Sequence, residues 1–154
     1  MAKANWEIAK AFVNGRYAEN RSMSTGYNKL WSYGTVIALK LDNGKYLLSD
    51  NNFSNTTAKH IGEFTYFVSS SDYYRVPVHR YGMDLCDSFE TIGKRIKDDL
   101  IWFIDNKKLT QKPNRLELRR LWNNAERFDK DIHKFIDNEL RIKVTRTIAN
   151  MKQD

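Results

Sequence analysis

Ser54, Thr56, Thr57 and His60 are the side chains whose types and spacing most invite chemistry. An imidazole beside hydroxyls can act as a general base on a nucleophile or on water. On a helix, Thr56 and Thr57 precede His60 by one turn and share its face. No third residue stands out to orient the imidazole, and no glycine elbow presents a nucleophile. The hydroxyls read more simply as helix caps, or as donors to a ligand or partner. No catalytic residue is assigned, and a non-enzymatic binding role is expected. A small enzyme working through these four residues is the alternative.

A second group is cationic. Residues 107–127 hold Lys107, Lys108, Lys112, Arg115, Arg119, Arg120 and Arg127 against only Glu117 and Glu126. Residues 141–152 add Arg141, Lys143, Arg146 and Lys152 with no acid. Arg115, Arg119 and Arg120, on successive helical turns, predict a phosphate-facing ridge. A solvated helix face is the plainer use of the same charges. The chain as a whole carries +7 with a pI near 9.5, which favours anionic partners, nucleic acid first among them. Tyr17, Tyr27, Tyr33, Tyr73, Tyr74 and Tyr81 can stack on bases, but tyrosine is also an ordinary strand residue. Adjacent Tyr73 and Tyr74 must point to opposite faces of a strand, so at most one is expected in the core.

Other chemistries find little support. His79 and His133 lack metal-ligand spacing, and there is no phosphate-binding glycine loop, dinucleotide fingerprint or zinc finger. Neither a metal nor a cofactor is expected. Cys86 is the only cysteine, so no intrachain disulfide can form, which suits a reducing compartment. The first residues lack the apolar run of a signal peptide, and no apolar stretch approaches the roughly 20 residues of a membrane span. A cytoplasmic protein with no membrane partner is expected.

These groups need a scaffold. All eight tyrosines lie between Tyr17 and Tyr81, and six of the seven glycines precede Tyr81 or follow it directly. The second half is rich in Leu, Ile, Lys, Arg, Asp and Glu. This division predicts an α+β fold: a short N-terminal helix, a small antiparallel sheet of about four strands, then a bundle of two to three helices. One domain with two lobes is expected, a β-rich lobe over 1–83 and a helical lobe over 84–154.

Trp6, Ile8, Ala9, Phe12 and Val13 predict a helix over 4–13, stopped by Asn14-Gly15. Residues 16–29 read as irregular and 30–41 as one strand. Asp42-Asn43-Gly44-Lys45 predicts a hairpin into Tyr46–Ser49. Ser54 or Thr56 would cap a short helix to about Phe64. Phe64–Ser69 and Tyr73–Arg80 read as further strands, with Pro77 marking an edge or a bulge. Asp87 and Glu90 have capping-box spacing before a helix that closes near Lys107-Lys108. Pro113 opens the next, whose apolar stripe runs to Ile148 as one helix or as two broken near Asn123-Asn124.

Residues 12–64 also resemble a group of small uncharacterised proteins encoded by bacteriophages and other mobile elements. The resemblance rests on Gly15, Asn20, Leu30, Ser32-Tyr33-Gly34, Ile37-Ala38, Gly44, Ser54, Thr56-Thr57 and His60. Its most specific part is Ser-x-Thr-Thr-x-x-His. It implies a phage-like origin and carries no catalytic role. Small basic phage proteins commonly bind nucleic acid or inhibit host defence, CRISPR nucleases included. The expected partner is therefore RNA, DNA or a host nucleoprotein defence complex. The net positive charge rules out an acidic DNA mimic.

Overall fold

The computed structural model describes residues 3–50, 55–78 and 85–154. The chain is α+β and divides into two compact units, residues 1–87 and 88–154.

The first unit opens with helix α1, Asn5–Val13. Ile8, Ala9 and Phe12 recur at helical spacing and are buried. Gly15, at φ 72°, takes the left-handed position that ends the helix. Six strands follow: β1 Ala18–Glu19, β2 Met23–Gly26, β3 Lys29–Ser32, β4 Thr35–Lys40, β5 Tyr46–Ser49 and β6 Tyr73–Val76. They form one sheet in sequence order. Neighbours are antiparallel except β5 and β6, which are parallel. Helix α2, Asn55–Thr65, lies in the crossover that a parallel pair requires.

The sheet therefore has six strands rather than about four, and it is mixed. Three readings are corrected. Residues 18–26 are paired strands. The expected strand over 30–41 is two strands, reversing at Tyr33-Gly34. Phe64–Ser69 is no strand, because Thr57, His60 and Phe64 recur at helical spacing on a buried face and hold the segment as helix to Thr65. β6 ends at Val76, ahead of Pro77, which has no N–H for the ladder. Residues 79–80 of the expected strand lie outside the described residues.

One sheet face packs its side chains with α1 and α2 into a core of Ile8, Phe12, Met23, Leu30, Ile37, Ala38, Leu48, Tyr46, Phe64 and Tyr73. Phe64 is central, with ring centroids 5.7 Å from Phe12, 5.1 Å from Tyr46 and 6.4 Å from Tyr73. A register shift beside Leu30/Trp31 leaves Ile37 as an extra residue in β4. Such a bulge lets consecutive side chains turn to one side, which is why both Ile37 and Ala38 reach the core.

The second unit is three helices: α3 Phe89–Asn106, α4 Lys112–Asp131 and α5 Asn138–Ala149. Ser88, not Asp87, caps α3, accepting the Thr91 N–H. Pro113 stands in the first turn of α4. The chain runs as helix through Asn123-Asn124 and breaks later, where the Asp129 carboxylate accepts the N–H groups of Phe135 and Ile136 at 2.7 and 2.8 Å. Asp137 then caps α5 through Leu140. Gly93 lets α3 approach Phe135, since a methyl there would meet that side chain at 3.2–3.4 Å.

Candidate functional site

The loop-and-histidine group comes apart in the fold. Thr56 is exposed on α2, while Thr57 and His60 turn inward and are buried. Ser54 lies outside the described residues, so its capping role does too; Thr56 is within the helix and is not the cap. His60 is only 1% exposed. Its Nδ1 is 2.6 Å from the Oγ of Ser32, the last residue of β3, itself 2% exposed. The Tyr33 ring lies 6.0 Å from the imidazole. Sequence spacing pointed to Thr56 and Thr57 as partners; the fold supplies Ser32 from 28 residues away.

This serine–histidine pair has the composition of a nucleophile and its base, yet both members are sealed between α2 and the sheet. Its evident work is to satisfy two buried polar side chains and fix α2 over the β3–β4 turn. That turn needs fixing. Tyr33 has φ 56°, a conformation that costs a non-glycine residue about 1–2 kcal/mol.

Burial holds the His60 imidazole below its ordinary pKa, with the nearby Glu63 charge acting the other way. The unfolded chain then takes up that proton more readily than the folded one. The stabilisation is complete above the unfolded value near 6.5 and is lost as the pH falls below it toward the folded value. The urea midpoint of the first unit should drop between about pH 7 and pH 5, and His60→Gln should flatten that drop. An undiminished drop in the variant would assign the effect to another group.

Most other residues of the 12–64 resemblance also hold structural positions. Gly15 and Gly44 have positive φ. Leu30, Ile37 and Ala38 are core. The Asn20 carboxamide ties the β1–β2 turn to α1, donating to Lys3 and Asn5 and accepting from the backbone of Ser22 and Met23.

The cationic group is partly dismantled as well. Arg115 is not on a phosphate ridge. It is 4% exposed, and its guanidinium grips the Asp154 carboxylate through Nε at 2.8 Å and Nη2 at 2.7 Å. Its Nη1 donates to the carbonyls of Leu109 and Thr110. The reason is phase: Arg115 lies on the same side of α4 as buried Leu118 and Trp122. The bond from Arg115 holds the Asp154 carboxyl below the usual range, and Lys112 and Arg119 add to the effect.

Arg120 is paired with Glu117, and the Arg127 Nε donates to the Asn123 side chain. Lys107 stands 5.6 Å from the centre of the exposed Trp102 ring. Lys108 and Lys112 are exposed and Arg119 is half-buried, and none of the three forms an ion pair among the described residues. Lys108 and Lys112 lie at the start of α4, where the helix dipole adds positive potential, and Arg119 two turns on acts with Lys112 on Asp154. Tyr73 and Tyr74 are both buried, on opposite sheet faces, so neither is free to stack; Tyr81 lies outside the described residues.

Among the described residues, no group of three or more His, Cys, Asp or Glu could hold a metal ion, and no helix is long and apolar enough to cross a membrane. Residues 3–76 match the model of a family of unknown function, DUF8033, over just under half of the chain. No curated protein and no solved structure matches.

Proposed function

We propose that this chain is a non-enzymatic nucleic-acid-binding protein of mobile-element type, docking on phosphates through the start of α4. One observation carries the reading: among the described residues Lys108, Lys112 and Arg119 form no ion pair, and Asp154, the carboxylate that Lys112 and Arg119 act on, is already spent on Arg115. Residues 88–154 hold 16 Lys and Arg against 11 Asp and Glu, so +5 of the chain's +7 lies in that unit. Such a surface steers toward polyanions and releases counterions on contact. Burial of Thr57, His60 and Ser32 weighs against the enzyme alternative.

The biological setting suggested by the phage resemblance is interference with a nucleic-acid-handling host defence complex, CRISPR effectors included. The protein would act in the cytoplasm, by holding the nucleic acid that such a complex uses.

Fluorescence anisotropy with short labelled RNA and DNA tests the reading. Binding should be strong at about 50 mM salt and fall steeply by about 200 mM, log K decreasing linearly with log salt. Absence of binding at low salt would contradict it. Salt-insensitive capture of a host protein would move the function to direct protein inhibition.

A further inference from the structure

The face of the sheet turned away from α1 and α2 is not uniform. On β5 and β6 it is buried, at Leu47, Ser49, Tyr74 and Val76. On β2 to β4 it is only half covered. Ser24, Gly26, Lys29, Trp31, Val36 and Leu39 all retain partial exposure there. The register joins them into one surface: Ser24 pairs with Trp31 and Trp31 with Val36, while Gly26 pairs with Lys29 and Lys29 with Leu39.

Two rings lie on this surface. A methyl built on Gly26 would meet the Tyr17 ring at 3.6 Å and the Trp31 ring at 3.7 Å. Thr25 faces the core, so the open side of Gly26 is the outer face, and both rings lie there. Glycine lets them lie close to the strand. Tyr17 is 69% exposed, and beyond it the β2–β3 turn carries Tyr27, fully exposed at φ 57°. Residues 16–40 contain Arg16, Arg21, Lys29 and Lys40 against Glu19, whose carboxylate accepts a bond from the Tyr17 hydroxyl.

We infer that the outer face of β1–β4 is a stacking platform for single-stranded nucleic acid, with Tyr17 and Trp31 taking bases and Lys29 an adjoining phosphate. Rings on a partly exposed sheet face offer a π-face that every base can use, and a cation beside them tracks the backbone. A duplex, whose bases are stacked internally, cannot use the rings. The inference rests on the nucleic-acid reading but places a second, strand-selective contact in the other unit of the chain, within the segment that matches the family.

The test uses the full chain with labelled oligothymidylate and oligouridylate of about 12 nucleotides, and a blunt duplex of the same length. Tyr17→Ala, at an exposed position, should weaken single-strand binding by about 5- to 150-fold and leave duplex binding unchanged. Tryptophan emission should be quenched on adding either single strand, and Trp31→Phe should reduce that quench. Single-strand binding that ignores Tyr17→Ala, without a Trp31-dependent quench, would overturn the platform and leave the α4 site standing. No binding of any of the three probes at low salt would overturn the nucleic-acid reading and the platform with it.

Discussion

Phe64→Ala should destabilise the first unit by about 3–5 kcal/mol, enough to unfold it in a marginally stable domain. The side chain is fully buried, and its ring meets Phe12, Tyr46 and Tyr73, each from a different element. Alanine removes the apolar area and leaves a cavity lined by rings that cannot close on it without leaving their own contacts. Thermal unfolding followed by circular dichroism should show the first-unit transition lowered or lost, while the three-helix unit retains its signal. Phe64→Leu should recover much of the difference. A loss of less than about 1 kcal/mol in Phe64→Ala would mean that α2 is not held by this cluster.

The second large effect is on binding. Each phosphate contact contributes about 0.7–0.9 to the salt slope, so a variant with Lys108, Lys112 and Arg119 all changed to alanine should lose about 2–3 units of slope. At about 0.1 M salt the same change corresponds to roughly 100-fold weaker binding. Arg115→Ala should behave differently. It strands the Asp154 carboxylate and the Leu109 and Thr110 carbonyls, so its first effect is on the stability of the second unit.

The helical unit was legible from sequence because its apolar residues recur at helical spacing: Ile92, Ile96, Leu100 and Phe103 in α3, and Leu118, Trp122, Ala125 and Phe128 in α4, are buried as their spacing predicts. The sheet was less so. Its early strands are two to four residues long, too short to show alternation, and Met23 and Thr25 are all that β2 buries. Two of the three missed hairpin tips, β2–β3 and β3–β4, place a tyrosine at positive φ. Asn28 and Gly34 follow these tyrosines as turn residues, but a tyrosine in the first central position masks the signal.

The candidate site was legible only as composition. Spacing placed Arg115, Arg119 and Arg120 on neighbouring turns but could not show that Arg115 falls on the buried side, because that depends on which stripe meets α3 and α5. Likewise Thr57 and His60 looked like a polar surface, but both are buried, and His60 is paired with Ser32 from a distant strand. Polar residues on an amphipathic helix remain ambiguous until the partner across the core is known.

The most direct test sets two variants of equal charge against each other in anisotropy titrations over salt. One changes Lys108, Lys112 and Arg119 to alanine. The other changes Lys97, Arg120 and Lys143, each paired with a carboxylate, of Asp137, Glu117 and Asp105 respectively. Both lower the net charge by three, and exposed pairs contribute little stability. A docking face at the start of α4 predicts a slope reduced by about 2–3 in the first variant and nearly unchanged in the second. Equal reductions in both would contradict it, leaving only the bulk charge of a basic protein.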